Sequence, residues 1–195
     1  MARKSKNIKE RDRFIIVCGA EETEPNYFKN YKELMSKIGD LELEIIKESK
    51  SPSYVLDKAL ELKGKYDNIN QIWCVFDKDD FSDFDEVIER ARKMGIKTAY
   101  SNEAFEIWFI FHYEYTTGFI SRYDYKEKLN RYFGREYKKN DKNLFEMLLE
   151  KQEIAINNAK KVYQYHRRDN KKPSNSNPET TVFELIEEIT RWIEK

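Results

Sequence analysis

The chain has 195 residues, with 36 basic and 36 acidic side chains and a formal net charge of zero. That length suits one domain with a sizeable core, and the balance excludes a global polycation, so any nucleic-acid contact must come from a local basic patch. The 12 Phe, 13 Tyr and 3 Trp exclude a disordered chain, whose composition is poor in aromatics.

Residues 1–12 are polar and read as a loose basic arm with no apolar stretch of signal length behind it. "RFIIVCGA" (13–20) is a short apolar run closed by Gly19 and predicts a buried strand. "TEPNYFKNYKELMSKIG" (23–39) predicts a helix, with Pro25 near its start and Gly39 at its end. "LELEIIK" (41–47) alternates like a strand with one wetter face, as at a sheet edge. "SPSYVLDKALELKGKY" (51–66) carries apolar residues at helical spacing, and "QIWCVFD" (71–77) is a second continuous apolar strand. "DFDEVIERARKMG" (83–95) predicts a helix capped by Asp83, and "IKTAYS" (96–101) a short strand.

Strands alternating with helices predict a doubly wound α/β layer around a mainly parallel sheet over residues 13–115. The remainder, 116–195, is expected to be a helical extension packed on that core. "EAFEIWFIFHYE" (103–114) is apolar nearly all round and predicts a buried helix. Later segments include "LFEMLLEKQEIAINNAKKVYQYHRR", a polar loop, and the amphipathic "ETTVFELIEEITRWIEK". No run reaches the roughly 18 apolar residues of a membrane span. Cys18 and Cys74 both lie in strand-like runs and make no zinc spacing. These features together predict a soluble cytoplasmic protein with reduced core thiols.

Chemistry concentrates at two strand ends. Asp77, Asp79 and Asp80 follow the 71–77 strand; Glu21, Glu22 and Glu24 follow the first. In a parallel sheet, ligands bind beyond the carboxyl ends where strand order reverses. Alternation along an extended stretch sends Asp77 and Asp79 to one side, which suits two oxygen ligands on one Mg²⁺. The alternative is an acidic turn in which Asp83 caps the next helix while Asp79 and Asp80 are simply solvated.

Four pieces give the chain a family likeness: "IIVCGAEETEPNYF" (15–28), "VFDKDDF" (75–81), "SNEAFEIWFIFHY" (101–113) and "NPETTVFELI" (177–186). With these the chain resembles the RloB-like family, a branch of the Toprim superfamily found beside restriction and abortive-infection genes. The resemblance implies a Toprim-like core, with four parallel strands flanked by helices. It also implies Mg²⁺- or Mn²⁺-assisted phosphodiester cleavage of RNA, tRNA included, or of DNA, in phage defence. The implied partner is an ATPase encoded nearby. Asp77 and Asp79 would hold the metal with Asp80 as helper, and a glutamate from the first strand would be a further ligand or the general base. One departure stands out: relatives carry Cys-Glu-Gly where this chain has Cys18-Gly19-Ala20. Glu24 is then the first surviving candidate and Glu21 the second. The alternative function is a Toprim-like module that has lost its chemistry and binds nucleic acid or a partner protein. Phosphoryl transfer to nucleotides is a third idea.

Other residues are weighed beside these. Glu106 sits in an apolar helix, where a carboxylate needs a partner or a metal, and its family motif adds a catalytic role. Asn102 either caps that helix or bonds a phosphate. His112 is either a satisfied core residue or a catalytic one. Lys160, Lys161, His166, Arg167 and Arg168, with Lys171 and Lys172 and interleaved Tyr163 and Tyr165, form either a single-strand-binding face or a solvated helix surface. Thr180 and Thr181 are expected in the first turn of the last helix, where backbone N–H groups can bind phosphate; capping by Asn177 explains the same residues.

Overall fold

The computed structural model describes residues 12–36, 41–48, 50–141 and 143–194. All but the last residue of the expected basic arm, and Gly39 at the expected helix end, lie outside the described residues. In chain order the elements are β1 (Asp12–Cys18), α1 (Thr23–Ser36), β2 (Leu41–Lys47), α2 (Pro52–Lys65), β3 (Ile69–Asp77), α3 (Phe84–Lys93) and β4 (Lys97–Asn102). Then follow α4 (Glu106–Phe111), α5 (Arg122–Phe133), α6 (Leu144–Leu149), α7 (Gln152–Arg168), β5 (Glu179–Thr180) and α8 (Val182–Ile193).

The apolar runs of β1 and β3 become the two central strands of the parallel set, because only a strand covered on both faces can be apolar throughout. Alternate residues feed two separate cores. Phe14, Ile16, Cys18, Trp73 and Val75 face α1, α4 and the C-terminal helices. Ile15, Val17, Ile72, Cys74 and Phe76 face α2 and α3. Both cysteines are fully buried free thiols, and burial pushes each thiol up, Cys74 to about 12.

Strand order is β2-β1-β3-β4-β5. The first four pair in parallel, with β2 at the edge. The chain leaves β1 towards one side for β2 and returns on the other side as β3. The order therefore reverses between β1 and β3, and the crevice beyond their carboxyl ends is the place where α/β sheets bind ligands.

The sheet has five strands, where four are expected. Glu179 and Thr180 pair antiparallel with Asn102 and Ser101. Thr180 Oγ1 donates to the Tyr100 carbonyl (2.9 Å), and the Thr181 N–H donates to the same oxygen (2.9 Å). These two residues thus complete the β4 edge, and the last helix starts only at Val182. The expected 103–114 helix shrinks to the six buried residues of α4, since 103–105 turn to receive the β3 loop. The segment from Leu144 to Arg168 forms two helices, α6 and α7, parted at Glu150 and Lys151. Among the described residues, no helix is long and apolar enough to cross a membrane.

Candidate functional site

A cavity of about 520 Å³ opens beyond the carboxyl ends of β1 and β3. Its acidic lining is Glu24, Asp77, Asp79 and Glu106. Among them stand Arg122, Lys126 and Lys139, with Tyr123, Tyr125 and Tyr137.

Each acid is placed by its element. Asp77 ends β3 on the face already taken by Trp73 and Val75, so it points towards α1. Glu24 is the second residue of α1, directly after the β1 turn. Glu24 is buried and Asp77 half-buried, and Glu24 Oε2 and Asp77 Oδ1 are each buried without a hydrogen-bond partner. Burial first, then the nearby charges of Glu106 and Asp79, pushes the Glu24 carboxyl up to about 8. Burial and the charges of Glu24, Glu106 and Asp79 push Asp77 well above the usual carboxylate range. A dry site disfavours charge, and a second carboxylate disfavours it further.

Asp79 reaches the cavity by a different route from the strand alternation expected of it. β3 ends at Asp77, and Asp79 sits in a turn with φ of 40°, its N–H bonded to the Glu103 carbonyl (3.1 Å). A left-handed aspartate is uncommon and marks a constrained site. Arg122 then forks over the turn, donating to Asp79 Oδ1 (2.9 Å) and Asp80 Oδ2 (2.7 Å). The Arg122 hydrogen bonds hold the Asp80 carboxyl below its usual range. Asp80 itself is 89% exposed and lies outside the cavity lining. Glu106 opens α4 and is buried; its Oε1 accepts from the Tyr137 hydroxyl (3.1 Å) and lies 3.7 Å from Lys139 Nζ. Glu21 and Glu22 are exposed and outside the lining.

Among the described residues, no three His, Cys, Asp or Glu side chains converge as a cation-holding group. The acids share the cavity, but Asp79 is engaged by Arg122 instead. The partnerless oxygens of Glu24 and Asp77 still fit a hard divalent cation, since Mg²⁺ takes one or two protein carboxylates and keeps several waters.

The sequence model described as RloB-like protein matches residues 14–189, from β1 into α8. The chain belongs to the RloB-like family. No curated protein and no solved structure matches it. The family match covers both the strands that carry the acids and the helices that wall the cavity. It also sharpens the meaning of Gly19. A Cβ there would meet Val55 Cγ2 at 3.3 Å and Phe76 Cβ at 3.4 Å, on the α2 face of the sheet. A side chain at this position would start away from Glu24 and Asp77, which lie on the α1 face.

The remaining candidates are committed elsewhere. Asn102 caps no helix; its Nδ2 donates to the carbonyls of Pro173 (2.9 Å) and Ser174 (3.0 Å). His112 is buried against Trp108, its Nδ1 at 2.8 Å from the Trp108 carbonyl, and burial lowers its pKa to about 4. Asn177 pairs with the backbone of Ile120 through both side-chain atoms and does not cap α8. The expected basic face is broken up. His166 is buried on the Pro178 carbonyl, Arg167 pairs with the buried Glu179, and Lys160 pairs with Glu187 (2.5 Å). Lys161 and Arg168 are exposed, and Lys171 and Lys172 lie in the loop after α7. Thr180 and Thr181 spend their polar groups on β4, so neither offers phosphate a free donor.

Sequence reasoning missed Arg122, Lys126, Tyr137 and Lys139. In a chain with 37% charged residues, four more polar residues carry no signal. The one local clue is Ser121, whose Oγ accepts from the Tyr123 N–H (3.3 Å) and fixes where α5 begins.

Proposed function

We propose that the chain is a divalent-metal-dependent phosphodiesterase of the Toprim type. It acts on RNA, tRNA included, or on DNA, in a phage-defence system in the cytoplasm, with an ATPase encoded nearby as partner. Family membership supports this reading. The observation that carries it is the pair of buried, partnerless oxygens, Glu24 Oε2 and Asp77 Oδ1, at the sheet's reversal point.

Glu24 and Asp77 are the residues that would hold the cation. A bound Mg²⁺ or Mn²⁺ supplies Lewis-acid polarisation of a phosphoryl oxygen and a water of lowered pKa. The protein supplies the rest. The walls formed by α1, α4 and α5 bury one oxygen each of Glu24 and Asp77, and the lower polarity around those atoms strengthens charge interactions there. Glu106 is oriented by the Tyr137 hydroxyl and is the carboxylate placed to take a proton. Glu103 accepts the Arg122 N–H (2.9 Å) and so anchors the start of α5 beside the acids.

The test is metal-linked stability together with cleavage. Millimolar Mn²⁺ is expected to raise the melting temperature of the purified chain, because the cation binds the folded state alone. Asp77→Asn is expected to abolish both the rise and the cleavage of labelled RNA or DNA. Absence of both effects in the wild type, alone and with the neighbouring ATPase, refutes the proposal. A second reading has its own support. Arg122 already occupies Asp79, and among the described residues no group of three acids converges to hold a cation. A non-cutting module that binds nucleic acid or protein predicts no thermal shift and tolerance of Asp77→Asn.

A further inference from the structure

The cationic lining of the cavity has a composition of its own. Arg122, Lys126 and Lys139 line it beside Tyr123; Arg122 holds Asp79, Lys139 lies 3.7 Å from Glu106, and Lys126 pairs with Glu136 (2.8 Å). Tyr123 is 81% exposed, one of the most exposed large apolar side chains in the described structure. It makes no core contact that would explain it; its ring lies 5.6 Å from the Arg122 guanidinium. Exposed Phe81 follows Asp80 in the turn that Arg122 clamps, and exposed Phe119 stands two residues before the Ser121 cap. Cations beside solvent-facing rings at a cavity mouth match one ligand chemistry. The phosphate takes the charge, and an unpaired base takes the ring face. A duplex keeps its bases stacked and offers such a ring nothing.

We propose that Arg122, Lys126 and Lys139 grip the backbone phosphate of a polynucleotide and that Tyr123 stacks an unpaired base next to it. The substrate of the phosphodiesterase site is therefore a single strand, a loop or an extruded nucleotide. This deepens the function proposed above and rests on it for the chemistry, though not for the binding. Arg122 is pre-oriented by Asp79 and Asp80, with its backbone N–H held by Glu103. A cation from the substrate side that engaged Asp79 would release the guanidinium towards phosphate.

The experiment is fluorescence anisotropy with the full chain in EDTA, so that binding is read without cleavage. The probes are labelled strands of about 12 nucleotides, a length such grooves accommodate, as RNA, as DNA and as the matching duplex. The expected result is at least tenfold tighter binding of a strand than of the duplex. Tyr123→Ala is expected to weaken strand binding roughly 5- to 150-fold, the range of one base–aromatic stack. Tyr123→Phe should restore it. Tyr54→Ala, an exposed tyrosine on α2 across the sheet, should change nothing. Lys126→Ala with Lys139→Ala should flatten the salt dependence by up to two phosphate contacts. Preference for RNA or for DNA names the sugar, and either supports the proposal. Equal or tighter binding of duplex, or full strand affinity in Tyr123→Ala, overturns it. Failure of cleavage with intact strand preference removes the phosphodiesterase reading alone. Normal cleavage of strands by Tyr123→Ala with unchanged KM removes the stacking proposal alone.

Discussion

Glu24→Gln should make the metal-free protein more stable. The folded state holds the Glu24 carboxyl at about 8, against 4.5 for the ordinary group. A raised folded pKa means that the stability tied to the protonated group is complete below 4.5 and is lost as pH rises through about 8. Each pKa unit is worth about 1.4 kcal/mol. On that scale, Glu24 costs the fold roughly 2 kcal/mol between pH 6 and pH 8, and on the order of 3–4 kcal/mol in all by pH 8. Glutamine keeps the shape and does not titrate. Urea unfolding in EDTA should therefore show the variant ahead of wild type by roughly 2–4 kcal/mol at pH 8, with the gap narrowing by about 2 kcal/mol at pH 6. His112 pulls the other way. Its lowered pKa of about 4 gives stability that is present above 6.5 and lost as pH falls. That term is common to both proteins and cancels in the difference. Adding Mn²⁺ should stabilise wild type and leave the variant behind. A variant with no advantage at pH 8, or an advantage independent of pH, would show that burial and the charges of Glu106 and Asp79 do not hold the Glu24 carboxyl above its ordinary range.

Three further outcomes follow from the contacts described. Gly19→Glu should lose about 1–3 kcal/mol in urea unfolding, because its Cβ meets Val55 and Phe76, and cleavage should not increase. Arg167→Met should cost about 3 kcal/mol, since it strands a fully buried Glu179; strand affinity measured by anisotropy should hold. Trp108→Ala should cost about 3–5 kcal/mol by thermal or chemical unfolding, because it empties a fully buried site and leaves the Tyr27 hydroxyl without its donor at 2.9 Å.

The layered core was legible because its signals are strong and local. Two continuous apolar runs can only be inner strands, and LELEIIK wears its edge position in its alternation. β5 was not legible: two residues have no period, and Thr180 and Thr181 look the same as helix starters or as edge partners. The break between α6 and α7 left no glycine or proline behind. At the site, Asp77 stood out because it ends an apolar strand, and Glu24 because it keeps its place in the family motif after β1. Asp79 was found for a reason that does not hold, since it arrives through a left-handed turn and not by alternation. Arg122, Lys126, Tyr137 and Lys139 were invisible because they meet the acids only through tertiary packing. In the basic run at 160–168, folding gives Lys160, His166 and Arg167 partners and leaves Lys161 and Arg168 on the solvated surface, the plainer of the two readings of that run.

The acids come from residues 24–106, in α1, β3 and its turn, and α4, and the cations from α5 and the loop after it, a separate stretch of chain. Exposed positions in or just before that stretch, such as Tyr123 and Phe119, can thus be rewritten by mutation, altering which ligand is admitted, while Arg122, Tyr137 and Lys139 stay tied to the acids they touch. Relatives with divergent sequence in that window and unchanged strand termini are where new targets would be sought first.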